Sequence, residues 1–193
     1  GIVELAILTR SALLEIALDQ HGHTAQLDRL IAGHLVGHAD AQQLAFHVGA
    51  KLVHLSTDMV FDGERGRYQH TDLPAPLHLY GKTKAAGEVE VLKYGREQAA
   101  VIRTTLLNGN SAKGDRGLHE RLFREWSEGR RTTLFRDEIR QPVTASNLAD
   151  VAIELCERGN LSGVYHWAGA EPLSRFELGR RIAVHFGLDP STL

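Results

Sequence analysis

Short apolar runs alternate with amphipathic stretches along the 193-residue chain, and few folds accept that order. "IVELAIL", "KLVHLS", "AAVIRTTLL", "RTTLF" and "GVYHWAG" are β-branched or leucine-rich and read as strands. "SALLEIALDQ", "HADAQQLAFHV", the segment from Tyr80 to Tyr94, "GLHERLFREWSEG", "SNLADVAIELCERG" and "LSRFELGRRIAVHFG" bring apolar residues back every three or four positions and read as helices. Glycines close several of them, as in "HGH" and at Gly49, and Ser146 or Asn147 is placed to cap the fifth. A parallel strand pair needs a connection long enough for a helix, so this alternation predicts an α/β fold with a parallel sheet covered on both faces.

Such a sheet binds ligands beyond the carboxyl ends of its strands. "KLVHLS" ends in the polar "STD", and a loop dense in Gly, Pro, Asp and His then leads to "LYGKTKAAGE" at residues 79–88. The fold therefore carries Thr57, Asp58, Tyr80 and Lys84 towards one crevice. Lysine is scarce here, five residues against seventeen arginines, yet Lys84 lies four positions after Tyr80 on one helix face. A phenol beside an ammonium loses its proton more readily, so the pair can exchange a proton with a carbonyl or alcohol oxygen. A half-buried tyrosine beside a solvated lysine is the bland alternative.

Composition narrows the field. The 42% hydrophobic and 24% charged content is that of a soluble globular protein, and a net charge of −2 offers nucleic acid nothing. Cys156 is the only cysteine, which excludes an internal disulfide and suits a reducing cytoplasm. The opening "GIVELAILTR" lacks a basic leader, its apolar run is too short to span a bilayer, and no membrane association is expected. His34 and His38 are four apart with no third ligand close in sequence, so no metal site is expected.

"LSTDMVFDG", "LYGKTKAAGE", "VIRTTLLNG", "LFRDEIRQPV" and "GVYHWAGAEPLSRFELGRRIA" follow one another in the order found in extended short-chain dehydrogenases/reductases. The chain most resembles their dTDP-4-dehydrorhamnose reductase branch, over roughly residues 38–190. That resemblance implies a Rossmann-type doubly wound sheet with a small C-terminal substrate-binding part. Residues 1–193 would form one NAD(P)-binding domain, its substrate-binding elements mainly in 104–130 and 137–193. It implies NADPH or NADH as cofactor, a nucleotide-linked 4-keto sugar as substrate, and a cytoplasmic protein for which a homodimer is open. Tyr80 would be the general acid, and Lys84 would hold the phenol and the nicotinamide ribose. Thr57 would bind the same carbonyl oxygen; Asp58 would either orient substrate or cap a turn. Arg140, seven residues before the helix start at Asn147, would clamp the diphosphate. Asn147 replaces the usual acidic residue as a cap, and Leu106 stands where these reductases tend to carry tryptophan. Ser174 and Glu177 are spaced as a capping box.

The front of the chain departs from this pattern. Thr9, Asp28 and Arg29 stand where dinucleotide contacts belong, but no glycine-rich turn lies between Arg10 and Ser11. Too few residues also separate Asp28 from "KLVHL" for the usual elements. Either segments of a longer polypeptide are left out of this sequence, or the turn has been lost along with catalysis. The intact flanking strand and helix favour omission, with breaks expected between Arg10 and Ser11 and between Asp28 and Phe46. Two rival functions stay open: a sugar-nucleotide epimerase or dehydratase, and a non-catalytic NAD(P)-binding regulatory subunit.

Overall fold

A computed structural model describes residues 6–7, 51–111, 114 and 117–193. In chain order these form β1 (Ala6–Ile7), β2 (Leu52–Thr57), α1 (Leu79–Gly95), β3 (Ala99–Thr104), β4 (Leu107–Asn108) and α2 (Leu118–Ser127). They continue with β5 (Ile139–Arg140), β6 (Val143–Thr144), α3 (Ala145–Glu157), β7 (Gly163–Trp167), β8 (Leu173–Ser174) and α4 (Arg175–His185). The chain divides into two units, one of residues up to Thr104 with Ala149–Trp167, the other of Thr105–Leu148 with Ala168–Leu193.

The first unit is built on a sheet of order β1-β2-β3-β7. β2, β3 and β7 run parallel, with Thr57 beside Thr104 and Thr104 beside Trp167 at their carboxyl ends. All six residues of β3 are buried, as expected of a strand covered on both faces. α1 buries Gly81, Lys84, Gly87, Glu88 and Val91, one stripe at helical spacing, and packs that stripe on β2 and β3. Val91 joins Leu52, Ala99 and Val101 in the core beneath it.

Three local expectations change. β1 pairs antiparallel with β2, Ala6 opposite His54, the edge arrangement found on many otherwise parallel sheets. "RTTLF" forms no ladder: the buried Thr132 hydroxyl donates to Glu125 Oε2 at 2.5 Å, and the Phe135 carbonyl accepts from Phe176 N–H at 2.9 Å. Its polar groups are thus taken up by helix residues, which removes the need for a neighbouring strand. The cap of α3 is Thr144, whose Oγ1 accepts from Asn147 N–H at 3.2 Å.

In the second unit β4 pairs parallel with β6 and β5 antiparallel with β8. α2 packs on α4 around the fully buried Leu122. Gly179 of α4 leaves room for Leu134, whose Cδ1 would stand 2.3 Å from a Cβ there. The Ser174 Oγ accepts from Glu177 N–H at 3.0 Å, forming that half of the expected box, while the Glu177 carboxylate is taken up by Arg180 and Arg181. Thr9, Asp28, Arg29, His34, His38 and both expected chain breaks lie outside the described residues. Among the described residues no helix is long and apolar enough to cross a membrane.

Candidate active site

The carboxyl end of β2 turns sharply. Thr57, 6% exposed, caps a short 3₁₀ turn at Asp58–Val60, its Oγ1 accepting from Met59 N–H at 3.2 Å. The same hydroxyl donates to Asp58 Oδ1 at 3.2 Å, so Asp58 orients the hydroxyl of Thr57. α1 begins against this turn. A Cβ on Gly81 would fall 2.2 Å from the Met59 carbonyl oxygen, so only glycine lets the helix start so close to the strand end. Tyr80, immediately before it, is 39% exposed.

Lys84 is not a solvated lysine. It is 5% exposed, and its Nζ donates to the Leu55 carbonyl at 3.1 Å, which ties α1 to β2 two residues before Thr57. Thr57, Asp58, Tyr80 and Lys84 therefore all belong to one strand end and the helix start docked on it, within the first unit.

Beneath them lies a group that sequence reasoning missed. Glu88 accepts from Ser56 Oγ at 2.5 Å and from the Arg103 guanidinium at 2.7–3.1 Å, with Glu88 2% and Arg103 6% exposed. Arg103 also donates to the His70 carbonyl at 3.4 Å, lies 3.4 Å from His166 Nε2, and covers the Phe61 ring at 5.0 Å. Two signals were present: a lone arginine inside "AAVIRTT", and a glutamate four residues beyond Lys84. Beside Thr57 in register, the Thr104 Oγ1 is buried and has no hydrogen-bond partner among the described residues.

Arg140 sits on β5 in the second unit, its side chain 16% exposed. Its Nε donates to Thr105 Oγ1 at 3.4 Å and its Nη1 lies 3.5 Å from Glu138, whose carboxylate also holds Arg175 at 2.8 Å. Two guanidinium groups thus share the Glu138 carboxylate. A cavity of about 330 Å³ next to it is lined by Leu106, Leu118, Arg121, Phe135, Glu138 and Arg175, apolar walls with cationic groups. Leu106, the sequence's departure from tryptophan, is part of that wall.

A family model described as the RmlD substrate binding domain matches residues 24–193. The chain is 34% identical over 164 residues to the methionine adenosyltransferase 2 subunit beta of Xenopus laevis, covering 82% of this chain and 49% of that protein. It is 35% identical over 149 residues to the dTDP-4-dehydrorhamnose reductase of Mycobacterium tuberculosis (strain CDC 1551 / Oshkosh), covering 74% and 48%. The chain spans about half the length of these curated relatives. Among solved structures it matches a dTDP-4-dehydrorhamnose reductase from Bacillus anthracis, in complex with NADP, with a TM-score of 0.73, 28% identity, and coverage of 80% and 54%. The sheet and its helices are of the Rossmann type shared by these neighbours.

Proposed function

The chain belongs to the RmlD substrate binding domain family, and from that premise we propose that it serves NAD(P)H-dependent reduction of a nucleotide-linked 4-keto sugar. The observation that carries this reading is the buried Lys84 on the same helix face as Tyr80, at the strand end that holds Thr57. A phenol, a hydroxyl and an ammonium gathered there are the donor set that a carbonyl oxygen and ribose hydroxyls require. A reduced nicotinamide, when bound, supplies the hydride. Tyr80 gives the proton to the developing alkoxide, and Lys84 favours its release and holds ribose hydroxyls. Thr57, oriented by Asp58, donates to the same oxygen. Thr9, Asp28 and Arg29 are assigned to the dinucleotide. Arg140 is assigned to the diphosphate, and the substrate elements to 104–130 and 137–193, which the gathering of Arg140 and Arg175 on Glu138 in that part of the chain supports.

The likeness to a methionine adenosyltransferase subunit favours a second reading, a partner-binding subunit that keeps the fold. Oxidation of NADPH or NADH with a dTDP-linked 4-keto sugar, followed at 340 nm, separates the two. Turnover that depends on the sugar supports the reductase; cofactor binding without turnover leaves the subunit.

A further inference from the structure

We propose that the buried Glu88–Arg103 pair is a positioning unit, which sets the register of α1 on the end of β2 and governs turnover through Tyr80, Lys84 and Thr57. The proposal rests on the reductase reading above. Tyr80, Lys84 and Glu88 occupy successive turns of one helix face, and the two lower rungs are tied to adjacent residues of β2. Lys84 donates to the Leu55 carbonyl and Glu88 accepts from Ser56, so the residue that follows the ties is Thr57. Arg103 anchors Glu88 to β3 through both carboxylate oxygens, a geometry that fixes distance and angle together. Through the His70 carbonyl and the Phe61 ring it also holds the segment after Asp58, where Phe61 stacks on Tyr68 at 4.3 Å.

Stability alone does not account for the pair. Two charges taken out of water recover little more than well-packed apolar residues would, whereas a bidentate pair specifies one arrangement. The group touches no reacting atom. Its effect therefore falls on the placement of the acid, in kcat, and not on substrate affinity.

The test is the double variant Glu88→Leu/Arg103→Met beside the wild-type chain. We expect circular dichroism and urea midpoint close to wild type, kcat lower by about tenfold to a hundredfold, and KM for the sugar nucleotide unchanged. The Tyr80 phenol, isolated by difference against Tyr80→Phe, should titrate differently from the wild type because α1 no longer holds Tyr80 and Lys84 in one place at the end of β2. A folded double variant with wild-type kcat and an unmoved phenol overturns the proposal. Should the double variant not fold, Glu88→Asp keeps the charge and shortens the reach, and unchanged kcat there is equally fatal. A wild type without reductase activity defeats the functional reading only; the phenol titration then decides the positioning role alone.

Discussion

The first unit holds one ion pair buried under its strand ends, Glu88–Arg103, while the pairs of the second lie near or at the surface. Glu88 and Arg103 are almost wholly buried, and Lys84 with them. On α4 and the turn before it, Arg180, Arg181, Glu171 and Glu177 pair in the open, and Arg140 shares Glu138 with Arg175 under partial cover. A buried pair is expensive to break and holds one geometry; an exposed pair is weak, salt-sensitive and free to exchange partners. The first arrangement suits residues that must stay in register for a proton transfer. Under the function proposed above, the second suits arginines that exchange a carboxylate for a phosphate.

The comparison breaks most decisively at Tyr80. Tyr80→Phe removes the acid while leaving Lys84 on Leu55, so turnover should fall by ~10²–10⁴ with cofactor binding near normal. Lys84→Ala should lower both turnover and cofactor affinity, since it removes a buried tie as well as a charge. Full reductase activity in Tyr80→Phe would refute the site. Gly81→Ala comes next. Its Cβ would overlap the Met59 carbonyl, a backbone group, so the helix start must move away from the Asp58–Val60 turn. We expect a loss of ~1–3 kcal/mol in urea unfolding, as for other overpacked sites, together with reduced kcat. Unaltered unfolding would mean that α1 is not fixed there.

Arg140→Ala sharpens the other side. A clamp remote from the reacting carbon contributes mainly uniform binding, so KM for the nucleotide sugar should rise by about tenfold while kcat changes little. The rise should shrink as ionic strength increases, in keeping with a half-covered charge. An unchanged KM would leave Arg140 as a structural partner of Glu138 and Thr105.

Much of this was legible in the sequence because it is local. Strands such as Leu52–Thr57 and helices such as Leu79–Gly95 follow from periodicity and punctuation. The Tyr80–Lys84 spacing needs only a helix to become a shared face. What stayed hidden depends on pairing across elements. Nothing in "GEVE" says that Glu88 meets Arg103, fifteen residues on, because the choice of partner is made by the sheet register. "RTTLF" misled for the same reason: β-branched residues favour a pleated surface, and here helix side chains and backbone took the hydrogen bonds instead. Thr144 displaced Ser146 and Asn147 as cap because α3 starts two or three residues earlier than its apolar pattern suggests.

The smallest effect expected lies on α4 and tests whether its charges are as weakly held as the comparison requires. Arg180 and Arg181 donate to the Glu177 carboxylate at 2.8 and 3.0 Å and hold its pKa down at about 2, against 4.5 without them. A depressed carboxyl pKa adds stability that is fully present above 4.5 and drains away as pH falls from there through about 2, since the unfolded chain takes up the proton first. Glu177→Gln should abolish this dependence without disturbing the helix start, because Ser174 is bonded to the backbone N–H of residue 177 and not to its side chain. Urea midpoints of the two proteins should therefore differ at neutral pH and converge as the solution is acidified below 4.5. Molar salt should narrow the neutral-pH gap, because the Debye length then shrinks to ~3 Å. A gap that persists at low pH and in high salt would show that Glu177 acts through packing, and the contrast between the buried Glu88–Arg103 pair and the exchangeable pairs of the second unit would lose its clearest instance.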